Sequence, residues 1–399
     1  IRDPGPANQD IHTQLLYATR GGDVDRVKNL LDSKANPDTR TFLGDTPVTF
    51  AAQAGYLECL QLLLDAKADP DVVDEDGNTP SILAAVRGHT ACLQLLLGST
   101  KADIDTVNKK GNTALMRAAC SRNTECLRLL LDAKAAVDTR NGEGDSVLIL
   151  ATEFGTPACV QLLLDAKADP DTRNDRGDSS LMRAASLVSA SSLRMFIDVK
   201  ADVNATAKDG KTACMTAASC GRTMSLQLLL DAKADVNAAT NEGVTAVMFA
   251  VRGSPMVHPE MLADAKADID ATNPNDLIRF LLAHEGATEC LQMLLDAKAN
   301  VDATNFEGNT ALTIAAGRGQ SACLQLLLDA KAQVNAVNRV GETALTLAAS
   351  SGHTACLQML VDANADVNAT NKIGDTALIT AANNGHVACV RVLLEAKAD

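Results

Sequence analysis

The chain has 399 residues with a formal net charge of −14, and it is 46% hydrophobic but only 2% aromatic, with no tryptophan. That length exceeds what one compact core usually serves, so the chain needs either several domains or a stack of small units. The acidic balance argues against nucleic acid and for a protein partner of basic or neutral surface, and no apolar run approaches the ~18 residues of a membrane-spanning helix.

Residues 1–8, with Pro4 and Pro6, read as an unstructured lead-in. Residues 9–40 carry two helical patterns. The second, DVDRVKNLLDSKA, is polar on one side, as expected of a capping unit at the solvent-facing end of a stack.

From residue 41 a unit of 33 residues recurs, beginning near Thr41, Asp74, Asn108, Asn141, Asn174, Ala207 and Thr240. Its clearest copies are Phe306–Asn338 and Arg339–Asn371, which match at most apolar positions. In the first of these, Thr310 stands at a helix N-cap, and Leu312, Ala315 and Ala316 follow at helical spacing. Gly319 ends that helix, and a second apolar pattern follows in which Cys323 pairs with Leu327 and Leu324 with Leu328 on one face. From Ala332 the composition suits an extended return ending in a turn at Gly341. A unit of two short helices and an extended turn cannot bury its own apolar face and must stack on its neighbours.

The segment Thr310-Ala311-Leu312-Thr313-Ile314-Ala315, with Thr46-Pro47 and Thr79-Pro80 closer still at the start of the motif, resembles the signature of the ankyrin repeat. The resemblance covers nearly the whole chain. It implies an all-α solenoid of about twelve stacked units with hairpin-like turns, and protein binding through hairpin tips and the concave face. Regular repeats are expected over residues 41–252 and 306–399, with no evident C-terminal cap. The last unit keeps the apolar face of an internal repeat (Val387, Cys389, Val390, Leu393, Leu394), which predicts that more chain or another protein covers it. In residues 253–305 the pattern is irregular. Pro259 falls where a second helix should start, and the turn motif is lost before Leu277, Ile278 and Phe280, predicting a local change of curvature.

Two departures and regularities have physical consequences. Where the family places glycine after the second helix, this chain has Lys67, Lys134, Lys167, Lys233, Lys331 and Lys397, with Asn364 once. These residues are expected at positive φ. Cys59, Cys92, Cys126, Cys159, Cys290, Cys323, Cys356 and Cys389 share one slot of the second helix. Neighbouring units stack about 8–10 Å apart, too far for a disulfide or a shared zinc ion. They read as small core residues of a protein in a reducing compartment, most simply the cytosol.

Motifs that suggest chemistry dissolve into the repeat. Gly210-Lys211-Thr212 imitates the end of a phosphate loop, but Ala205 stands where that loop needs glycine. Arg176-Gly177-Asp178-Ser179 spells an adhesion tetrapeptide, yet Gly-Asp recurs at Gly44-Asp45, Gly144-Asp145 and Gly374-Asp375. Asn204 and Asn368 head glycosylation sequons that the repeat itself generates. The histidines are scattered, and His89, His353 and His386 occupy a Gly-His slot that, by the resemblance, supports the turn between helices. No catalytic residue, cofactor site or metal site is expected.

Binding residues are sought where stacking does not dictate the side chain, at the turn tips and the ends of the first helices. The candidates are Phe42, Leu43, Gln53, Arg87, Phe154, Arg176, Leu187, Lys208, Phe306, Arg318, Arg339 and Val340, with exposed aromatics as the anchors. The reading is a non-catalytic scaffold for protein–protein interaction, or a structural subunit of a larger assembly, without nucleic acid or membrane insertion. Two alternatives stand beside it: the targeting region of a longer enzyme or channel, and a secreted pathogen effector.

Overall fold

A computed structural model describes residues 10–99, 103–253 and 286–398. The lead-in and the expectations placed on Pro259, Leu277, Ile278 and Phe280 lie outside the described residues. The chain forms two units, residues 1–180 and 181–399. Each is a succession of helix pairs, and the described residues hold eleven pairs in all.

Local chemistry sets each pair. In unit one the first helices are Ile11–Arg20, Pro47–Ala54, Pro80–Arg87, Ala114–Cys120 and Val147–Phe154. Each starts at a residue whose side chain accepts the backbone N–H three positions on: Asp10, Thr46, Thr79, Thr113 and Ser146. Pro47 and Pro80 occupy the first helical position, where no N–H is needed. In unit two Thr310 caps Ala311–Gly317 in the same way, and Thr343 forms a reciprocal pair with Thr346. The first helix buries five of its first six residues, as in Ala311, Leu312, Thr313, Ala315 and Ala316, and leaves Ile314 less covered. The second helix buries a cysteine and two leucines, as in Cys323, Leu324 and Leu327, while Leu328 is only partly covered.

Ten of the eleven described second helices, all but Thr90–Leu97, end in the same bonded turn. In the copy at Lys331, that residue's N–H donates to the Leu328 carbonyl and the Ala332 N–H reaches back to Leu327. These are the two bonds of a Schellman motif, which needs a left-handed residue between them. Lys67, Lys134, Lys167, Lys233, Lys331 and Lys397 have φ between 64° and 68°, and Asn364 has 60°, as expected.

Adjacent pairs are stitched by a ladder of backbone bonds between hairpins. In unit two, Asn241 N–H donates to Asp209 O, Arg339 N–H to Glu307 O, and Lys372 N–H to Val340 O. Each of these rungs joins residues 32 apart. A parallel ladder joins the second-helix loops: Asp235 N–H donates to Asn204 Oδ1, Gln333 N–H to Asp302 Oδ1, and Asp366 N–H to Asn335 Oδ1, all 31 apart.

At one place both ladders take a double stride. Phe306 N–H donates to Glu242 O at 2.8 Å, and Asn300 N–H donates to Asn237 Oδ1 at 2.7 Å across 63 residues. The hairpin of the Thr240 unit is therefore bonded directly to that of the Asn305 unit, and the helix over 286–296 follows Ala246–Arg252 in the stack. The register accounts for it. Thr310 and Cys323 are 13 positions apart, Thr245 and Cys290 are 45, and the 32 residues between Gly253 and Gly286 make up the difference. Thr245 is also the one cap in this series whose buried Oγ1 finds no hydrogen-bond partner.

Candidate functional site

In each unit a first helix and the hairpins of its own repeat and of the next line a groove. The larger, about 620 Å³, lies in unit two and is lined by Phe306, Glu307, Asn309, Ile314, Arg318, Asn338, Arg339, Val340, Glu342 and Leu347, together with Arg252. The other, about 390 Å³, lies in unit one and is lined by Asn112, Arg117, Cys120, Ser121, Asn141, Glu143, Asp145, Leu150, Glu153, Phe154 and Arg176. Eight positions of the two linings correspond at a constant offset of 197: Asn112 with Asn309, Arg117 with Ile314, Cys120 with Gly317, Ser121 with Arg318, Asn141 with Asn338, Glu143 with Val340, Asp145 with Glu342, and Leu150 with Leu347. The repeat thus builds the same groove twice and furnishes it with different side chains.

The polar floor is hydrogen-bonded alike in both. Asn141 Oδ1 accepts the N–H groups of Glu143 and Asp145 at 3.0 and 2.9 Å, and Asn338 Oδ1 those of Val340 and Glu342 at 3.1 and 2.9 Å. Asparagine is suited to this position because its short amide closes the turn from one side and reaches the adjoining hairpin from the other. Asn338 Nδ2 donates to Asn309 Oδ1 at 3.1 Å.

Of the residues expected to bind, Phe306, Arg318, Arg339 and Val340 converge on the larger groove, and Phe154 and Arg176 on the smaller. Phe306 is 59% exposed and Phe154 47%. Phe42, at 95%, and Leu43 stand at a hairpin tip, Lys208 lies on another, and Gln53 and Arg87 end first helices; none of these lines either groove. Leu187 is only partly exposed. Sequence reasoning missed Arg252 and the mid-helix slot held by Arg117, Leu150, Ile314 and Leu347. That slot varies from repeat to repeat, the same signal that pointed to the helix ends.

The remaining motifs are absorbed by the scaffold. Gly210 sits in a hairpin turn at φ 84°, with Lys211 over the Phe249 ring at 5.4 Å. Arg176 pairs with Asp178 at 3.4 Å. The rings of His89, His353 and His386 pack against Gly55, Gly319 and Gly352 of the preceding repeat. His89 Nε2 contacts the Gln53 carbonyl at 3.1 Å and His386 Nε2 that of Ser350 at 3.0 Å, tying the end of one first helix to the next pair. All eleven cysteines are unpaired and nine are buried. Burial pushes Cys214 and Cys290 up to about 12, so these thiols stay protonated. Among the described residues no group of three or more His, Cys, Asp or Glu is placed to hold a metal ion, and no helix is long and apolar enough to cross a membrane.

A family model described as ankyrin repeats (3 copies) matches residues 15–108, 99–174, 181–273, 260–338, 279–371 and 331–399. No curated protein matches the chain.

Proposed function

We propose that this chain, which belongs to the ankyrin-repeat family, is a non-catalytic scaffold or structural subunit that holds segments of a partner protein in its concave grooves. Repeats of this family are generally protein–protein interaction modules. The observation that carries the reading is the eightfold correspondence between the two grooves: backbone and asparagine floor are kept while the side chains facing the cavity change. A surface of that kind separates construction from recognition. Exposed aromatic and arginine side chains at its edge, Phe306, Arg339, Phe154 and Arg176, are the residue types that dominate interface energetics. The buried thiols support an intracellular, reducing setting.

The test is to cross-link and capture the partner, then measure its affinity for Phe306→Ala, Val340→Ala and Phe154→Ala. At least one groove is expected to lose tenfold or more in affinity, about 1.4 kcal/mol. Unchanged affinity in all three variants, with the stack still folded, refutes concave binding.

A further inference from the structure

The larger groove has a charge pattern out of keeping with an acidic chain. Arg252 ends the helix Ala246–Arg252 and Arg318 caps Ala311–Gly317. They meet because the hairpin ladder passes from Glu242 straight to Phe306; in the regular register a full repeat would separate them. Arg318 Nη1 donates to the Arg252 backbone carbonyl at 3.0 Å, both residues line the groove, and Arg339 stands on the neighbouring hairpin. Among the described residues none of the three makes an ion pair. The two carboxylates of the lining are otherwise engaged: Glu342 Oε2 accepts from Asn338 Nδ2 at 2.9 Å, and Glu307 Oε2 from Asn309 Nδ2 at 2.8 Å. Desolvation, and then the charge of Arg252, lower the pKa of Arg318.

Beside this wall lies apolar surface. Phe306 and Val340 are 59% and 56% exposed, and Ile314 and Leu347 are partly covered. The matching groove of unit one has the opposite balance, with Glu143, Asp145 and Glu153 against Arg117 and an Arg176 already paired to Asp178.

We propose that the groove at this joint selects a partner segment carrying an aspartate or glutamate next to an apolar side chain, the carboxylate bridging Arg252 and Arg318 while the apolar group lies against Phe306 and Val340. Guanidinium forks bind carboxylates in pairs of charge-assisted bonds, and two forks on one wall give such a segment both orientation and specificity. The proposal rests on the reading that concave grooves bind protein segments, and it names what this one takes.

The experiment selects a phage-displayed random heptapeptide library on the full chain and, in parallel, on Arg252→Gln. This substitution leaves the carbonyl that accepts from Arg318 in place. Thermal denaturation verifies that both proteins fold alike, and Arg339→Gln serves as a second variant. Enrichment of Asp or Glu beside an apolar residue on the native chain, with at least tenfold weaker binding of those peptides to Arg252→Gln and to the native chain at high salt, is the expected result. Enriched peptides that lack an acidic residue but are lost on Val340→Ala overturn this inference and leave concave binding standing. Acidic peptides that bind Arg252→Gln and the native chain equally overturn it as well. No enrichment on the native chain counts against both readings.

Discussion

Eleven described residues other than glycine hold φ between 60° and 68°, and ten of them follow a second helix. For an L-residue this conformation costs roughly 1–2 kcal/mol, while glycine there gives back about 0.5–1 in chain entropy. Lys331→Gly is therefore expected to raise the unfolding free energy by about 0.5–1 kcal/mol, measured by urea titration. A loss instead would mean that the lysine stem contributes packing that outweighs the strain. Nothing in the structure explains why lysine rather than glycine stands there. A second residue-scale effect depends on pH. Burial, and next the charge of Asp74, raise the pKa of the Asp45 carboxyl. A carboxyl that ionises at higher pH when folded than when unfolded opposes folding once it is charged. The penalty is absent below the unfolded carboxylate range, sets in as pH rises through the folded pKa, and persists at neutrality. Asp45→Asn should be more stable than the native chain at pH 7, and the advantage should vanish near pH 3, as thermal melts at the two pH values would reveal.

At the scale of elements, the seating of the helix over 286–296 against the turn after Ala213–Ser219 in the preceding pair depends on a close approach. A Cβ on Gly286 would collide with the Gly221 carbonyl oxygen, although Gly286 itself is not at positive φ. Gly286→Ala should cost about 1–3 kcal/mol by overpacking, read from the chemical denaturation of unit two. A neutral effect would show that this helix is not held against the preceding pair. Much at this scale was legible in the sequence. Thr310 as cap, the burial of Leu312, Ala315 and Ala316, and the positive φ of the lysines all follow from local rules, because neighbours within a turn set them. The groove was legible only in part. Phe306, Arg318, Arg339 and Val340 stand out because they occupy slots that stacking leaves free to vary. Arg252 was not, because its neighbour Arg318 lies 66 positions on, two repeat lengths, whereas the period by itself seats neighbours one length apart.

For the molecule as a whole, the double stride predicts that a chain with Gly253 joined directly to Gly286 keeps the bonds from Phe306 to Glu242 and from Asn300 to Asn237. Joining Gly253 to Gly286 restores the spacing of Thr245 to Cys290 to that of Thr310 to Cys323. The melting temperature of unit two in the shortened chain should lie within about 4 °C of the native, the upper end of the shift that about 1 kcal/mol produces in roughly 150–250 residues. Deleting 286–305 instead removes the helix that follows Ala246–Arg252 and should unfold the repeats beside it. A shortened chain that melts broadly or far below the native would mean that the bonds from Glu242 to Phe306 and from Asn237 to Asn300 do not suffice to join the neighbouring repeats.

The repeat, its caps, its bonded turns and its buried face were determined by sequence alone, because each is decided by residues a few positions apart and then copied. Which copy follows which was decided only by tertiary structure. Any apolar face of the right period can cover any other, so periodicity counts the units but does not order them. It was the bonds from Glu242 to Phe306 and from Asn237 to Asn300 that chose the neighbour and, with it, set two arginines side by side.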